Sequence, residues 1–146
     1  MSLLSFVKEA GEKLLDLLTP GNANASEQLK EHISKVGLGN PNVQATVDGD
    51  KVTVTGEVAS QEEKEKILLV VGNIAGVGSV EDQITVTGPV VKAAVFVTVV
   101  KGDTLSAISK RVYGDANKYN KIFEANKPML SHPDKIYPGQ SLRIPE

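Results

Sequence analysis

The chain has no cysteine and no tryptophan, and aromatic residues make up only 4% of its 146 positions. Without cysteine there is no disulfide, no thiolate metal site and no thiol nucleophile, while the compartment stays open, because reducing and oxidising environments both tolerate the absence. With so few large aromatics any core must be aliphatic. Neither charge is in excess: 16 Lys and Arg stand against 18 Asp and Glu, a net charge of -2. That supplies no electrostatic footprint for a phosphate backbone or an acidic membrane, so nucleic acid is not an expected partner. No apolar run reaches the length of a membrane span. The apolar start Met1-Ser2-Leu3-Leu4-Ser5-Phe6-Val7 has no basic leader, and Lys8, Glu9, Glu12 and Lys13 interrupt it before a signal-length run develops. These absences point to a cytoplasmic protein with no transmembrane segment, and a monomer is expected.

What is present is periodic. Leu3, Phe6, Val7, Ala10, Leu14, Leu17 and Leu18 recur at helical spacing with charged residues between them, which predicts an N-terminal amphipathic helix ended by Pro20 and Gly21. Asn24 with Glu27 can cap a second helix whose buried stripe is Leu29, Ile33 and Val36, with Gly37 as its C-terminal cap. Val43, Ala45 and Val47, then Val52, Val54 and Val58, alternate about an Asp48-Gly49 turn as a β-hairpin. Ser60 and Glu63 form a capping-box pattern ahead of Ile67, Leu68, Val70, Val71 and Ile74, and Val80, Asp82, Ile84 and Val86 alternate as a further strand. The Gly88-Pro89 step makes residues 88–94 the best boundary in the chain. Beyond it a strand from Val95, two short helices and a strand at Ser141–Ile144 read as β-α-α-β.

The run Val97-Thr98-Val99-Val100-Lys101-Gly102-Asp103-Thr104-Leu105-Ser106-Ala107-Ile108, with Asn126 and Ile136-Tyr137-Pro138-Gly139-Gln140-Ser141-Leu142-Arg143-Ile144-Pro145, resembles a LysM domain. That resemblance implies a shallow groove for N-acetylglucosamine polymers, with Gly102, Asp103, Thr104, Ile136, Tyr137 and Pro138 as its walls. Val52 to Val58, Glu62 to Val71 and Gly76 to Asp82 look like a BON domain. The expected fold is therefore α+β in two small domains. An N-terminal helix and an α-β-β-α-β BON-like domain occupy residues 1–87, and a LysM-like domain occupies residues 95–146.

The order of these parts resembles a family of bacterial cytoplasmic potassium-binding proteins. The resemblance implies a sensor that binds a potassium ion between the BON region and the N-terminal helix and compacts on binding. It implies the backbone carbonyls of Val7, Ala10, Gly72, Ile74 and Val77 as ligands, with one further ligand unassigned. Carbonyl oxygens suit a large, weakly hydrated monovalent ion, so no side-chain motif is expected. On local sequence alone the glycines from Gly72 to Gly78 terminate a helix and turn the chain into the next strand.

Other chemistry finds little support. Asp48-Gly49-Asp50 lacks the spacing of a calcium loop, and His32 and His132 have no metal-ligand partner nearby in sequence. Glu62, Glu63 and Glu65, interleaved with Lys64 and Lys66, read as a solvated helix face. Ser106 and Ser109 lack a nucleophile-base motif, so no enzyme is expected. The alternatives to an ion sensor are a glycan-binding module and an interaction protein that docks its LysM-like face on an unidentified protein partner.

Overall fold

The computed structural model describes residues 2–6, 25–38, 42–48, 50–74, 77–89, 91, 94–127 and 129–145. Alternation of small apolar residues produces the central hairpin, in which β2 (Asn42–Asp48) and β3 (Lys51–Val58) pair antiparallel with Ala45 opposite Val54. Val43, Ala45, Val52, Val54 and Val58 are buried on one face. Helix α2 (Gln61–Gly72) follows, and the Ser60 hydroxyl accepts the Glu63 amide at 3.1 Å, as the capping pattern predicts. Strand β4 (Ser79–Val86) then lies parallel to β3, a pairing that requires a crossover, and α2 supplies it. Helix α1 (Ala25–Ile33) adds Leu29 and Ile33 to the same core and runs into a π-type turn that stops at Gly37, whose φ of 118° favours glycine.

The beginning of the chain differs from expectation. Ser2–Ser5 is not helical but forms strand β1, antiparallel to β4 with Leu4 opposite Val80, in a sheet ordered β1-β4-β3-β2. An apolar run this short fits either structure, and the open edge of β4 offers a row of unpaired backbone groups that the strand satisfies. The rest of the expected N-terminal helix, residues 7–18, lies outside the described residues.

The C-terminal half follows the β-α-α-β order. Strands β5 (Val95–Thr98) and β6 (Ser141–Ile144) pair antiparallel around α3 (Leu105–Tyr113) and α4 (Tyr119–Ala125), with a short 3-10 turn before α4. Thr104 caps α3 by accepting the Ala107 amide at 3.1 Å, and Gly114 closes it in the left-handed conformation. Leu105, Ile108, Ile122, Leu130 and Leu142 form a core distinct from that of the sheet, and Met129 packs against both. The connecting segment is held close: Gly88 abuts the Ala59 carbonyl so tightly that a Cβ would overlap it, and Thr87 N donates to Val58 O at 2.9 Å.

Because Ile67 is fully buried, Ile67→Ala should lower the unfolding free energy by about 2–5 kcal/mol. Ser60→Ala, which removes only the cap, should cost about 1 kcal/mol. Urea denaturation of both variants measures the difference.

Candidate functional site at the domain boundary

Helix α2 ends at Gly72, and its last carbonyls point beyond the final turn with the partial negative charge of the helix terminus. Asn73 N donates back to Leu69 O at 2.9 Å, and Val77 N donates to Ile74 O at 3.1 Å. The far end of the loop is pinned by Gly78 N and Ser79 N, which both donate to Asp50 O at 2.8 and 3.3 Å, and by Phe6 N, which donates to Gly78 O at 2.9 Å. The Asp50 carboxylate also lies against Gly78, where a Cβ would stand 2.6 Å from Oδ2. Thus Gly72, Ile74 and Val77 share one short loop with buried side chains at Ile74 and Val77. Val7 and Ala10 lie outside the described residues. Among the described residues no cluster of three or more His, Asp or Glu is placed to hold a metal.

Asn73 sits between two of those residues, and its side chain crosses to the other half of the molecule. Its Nδ2 donates to Ser141 O at 2.9 Å, and Ser141 N donates to its Oδ1 at 2.8 Å. Two residues along β6, Asn126 repeats the arrangement: Arg143 N donates to its Oδ1 at 2.8 Å, and its Nδ2 donates to Arg143 O at 2.9 Å. Successive alternate residues of a strand present their backbone groups to the same edge. Two asparagine amides therefore complete the edge of β6 that β5 leaves unpaired, one from each domain.

Beside this clasp Arg143 Nε and Nη2 donate to Glu65 Oε1 at 3.1 and 2.8 Å, while Nη1 donates to Ala125 O at 3.0 Å. Glu65 Oε2 accepts from Gln61 Nε2 at 3.0 Å and from Ala94 N at 2.9 Å. Both partners are nearly inaccessible, Glu65 at 3% and Arg143 at 8% exposure, so the pair depends on the hydrogen bonds that each charge makes. One carboxylate thereby joins helix α2, the connecting segment and strand β6. Glu65 is consequently no part of a solvated face. It shares the side of α2 that meets strand β6 with Asn73, two turns further on, and among Glu62, Glu63, Lys64 and Lys66 nothing local in the sequence sets it apart.

Next to the clasp lies a cavity of about 260 Å3 with walls from both halves, among them His32, Val70, Asn73, Met129, Tyr137 and Gln140. His32 is buried here. A separate groove of about 410 Å3 is lined by Thr104, Leu105, Ser106, Tyr119, His132, Pro133 and Asp134. Of the residues expected to form a glycan groove, Thr104 lines it. Tyr137 instead faces the boundary cavity, Ile136 packs on the C-terminal core, and the Asp103 carboxylate accepts the Val100 amide at 3.1 Å. Gly102 takes a φ of 89° in the turn after β5. Pro138 precedes a second such turn, at Gly139, whose N donates to Val99 O at 2.7 Å. Burial pushes the Tyr113 phenol above its ordinary range, partly offset by Arg143, and its hydroxyl donates to Pro145 O.

Residues 22–88 match the family model of the BON domain and residues 97–145 that of the LysM domain. Together with the fold and the shared edge of β6, these define a two-domain protein in which a BON domain is followed by a LysM domain. The chain is 57% identical to the "Potassium binding protein Kbp" of Escherichia coli, over its whole length and 99% of that protein, and it belongs to the Kbp family. About a third of the chain is also similar to parts of two longer proteins. One, of Deinococcus radiodurans, is 52% identical over 33% of this chain and 18% of its own length, and the other, YqbP of Bacillus subtilis, is 40% identical over 34% and 26%. Among the described residues no helix is long and apolar enough to cross a membrane.

Removing one partner of the buried pair leaves the other charge uncompensated, so Arg143→Met should destabilise the protein by about 3–5 kcal/mol. The double variant Glu65→Met/Arg143→Met should recover most of that loss, because a packed apolar pair replaces a desolvated ionic one. Denaturant midpoints of the two variants measure this.

Proposed function

We propose that this protein is a cytoplasmic potassium sensor without enzymatic activity. In this reading the ion is held by backbone carbonyls of Gly72, Ile74 and Val77 at the end of α2 and of Val7 and Ala10 in the N-terminal segment. The BON unit spans residues 1–87 and the LysM unit residues 95–146, joined by 88–94, and ion binding draws them together. The observation that carries the reading is the full-length likeness to a potassium binding protein. The loop supports it physically. Its ligands are uncharged oxygens at the negative end of a helix, and they flank Asn73, whose side chain clasps the LysM strand β6. An ion that fixes the backbone on both sides of Asn73 also fixes the residue that docks the second domain.

A second reading assigns the LysM unit to N-acetylglucosamine polymers, favoured by the groove between the Thr104 and His132–Asp134 loops. The two readings use different faces and are compatible.

A ligand that binds only the folded state stabilises it by mass action, by about 2.7 kcal/mol at a hundredfold excess over Kd. Melting should therefore occur at a higher temperature in potassium chloride than in sodium chloride at equal ionic strength. Identical melting in the two salts contradicts the ion reading.

A further inference from the structure

Gly72 closes α2 with ordinary helical backbone, and no positive φ requires glycine there. What excludes a side chain is the ring of Phe6. A Cβ on Gly72 would overlap ring carbons Cε1, Cζ and Cε2, so the ring fills the space that any other residue at 72 would need. The same residue is tied at its backbone to the opposite end of the loop, where Phe6 N donates to Gly78 O at 2.9 Å. Strand β1 delivers it there through the pairing of Ser5 with Ser79. Phe6 is half-buried and packs against the sheet core. One residue therefore bridges the first and last positions of the Gly72–Gly78 loop, by its ring at one end and its amide at the other.

We propose that Phe6 is a positioning residue for ion binding, holding the loop at the span its carbonyls need and fixing the chain that continues to Val7. This rests on the reading that the loop binds potassium. Carbonyl ligands reward such bracing, because a site loses affinity when its donors must first be ordered or stand a few tenths of an ångström out of place. The absence of a side chain at 72 is then a packing requirement of the ring, separate from any use of the Gly72 carbonyl.

The test uses the full chain titrated calorimetrically with potassium chloride, in lithium chloride buffer at constant ionic strength. Melting in potassium-free buffer is measured alongside. Phe6→Ala and Gly72→Ala should each weaken potassium binding about tenfold, the scale of losing one seated aromatic side chain. Phe6→Leu, which refills part of the seat, should recover much of the loss. Because both substitutions break the same contact, Phe6→Ala/Gly72→Ala should bind no more weakly than the poorer single variant. Unchanged affinity in Phe6→Ala with only a lower potassium-free melting temperature makes the ring purely structural and overturns the proposal. So does a Gly72→Ala effect that persists in full when Phe6 is already Ala, since the glycine would then serve something other than the ring. Absence of potassium binding by the unsubstituted chain is seen before any variant is made; it overturns the ion reading, and this proposal falls with it.

Discussion

Among the described residues strand β6 has one edge paired to β5 and a second edge with no strand beside it, and a buried backbone edge must be satisfied by something. Two asparagine side chains do this, each offering an acceptor and a donor to one residue of the strand as a neighbouring strand would. Asn126 comes from the same domain, and Asn73 comes from the end of α2 in the other. The LysM unit is therefore completed by a residue of the BON unit. Separating the domains would leave Ser141 N and O without those partners, as well as exposing the Glu65–Arg143 pair to water. Water can solvate the freed groups, so the net stabilisation is modest per bond, but the geometry is specific and admits one docking register.

Asn73 links that interface to the proposed function. Its backbone lies in the loop proposed to bind the ion, and its side chain belongs to the interface, so any change in the φ and ψ angles of residues 72–74 moves both. Under the proposed function, coupling between ion and docking is reciprocal: whatever free energy the ion contributes to docking, docking returns to ion affinity. Phe6 and Asp50 brace the loop from the BON side, and Ser141 holds Asn73 from the LysM side. The carbonyls are thus held by partners that lie far apart in sequence.

Much of the fold was legible because it rests on local chemistry. The alternating valines of β2 and β3, the Ser60 cap and the Gly37 stop each act within a few residues of themselves. The first strand was not legible, since the spacing of Leu3, Phe6 and Val7 fits a helix and only the open edge of β4 decides otherwise. Glu65 was misplaced for a related reason. Its neighbours Glu62, Glu63, Lys64 and Lys66 make it look like part of a solvated face, and its partner Arg143 is remote in sequence. The loop at Gly72–Gly78 could be recognised as irregular backbone, yet the reason for Gly72 lies in a ring at position 6 that no periodicity connects to it.

The central claim, that the ion loop and the docked LysM strand move as one, is tested most directly by following backbone amides during a potassium titration. The Ser141 amide should shift with the same midpoint as the amides of Gly72, Ile74 and Val77, although it lies in the other domain. Saturation of the loop amides while Ser141 stays fixed would contradict the account.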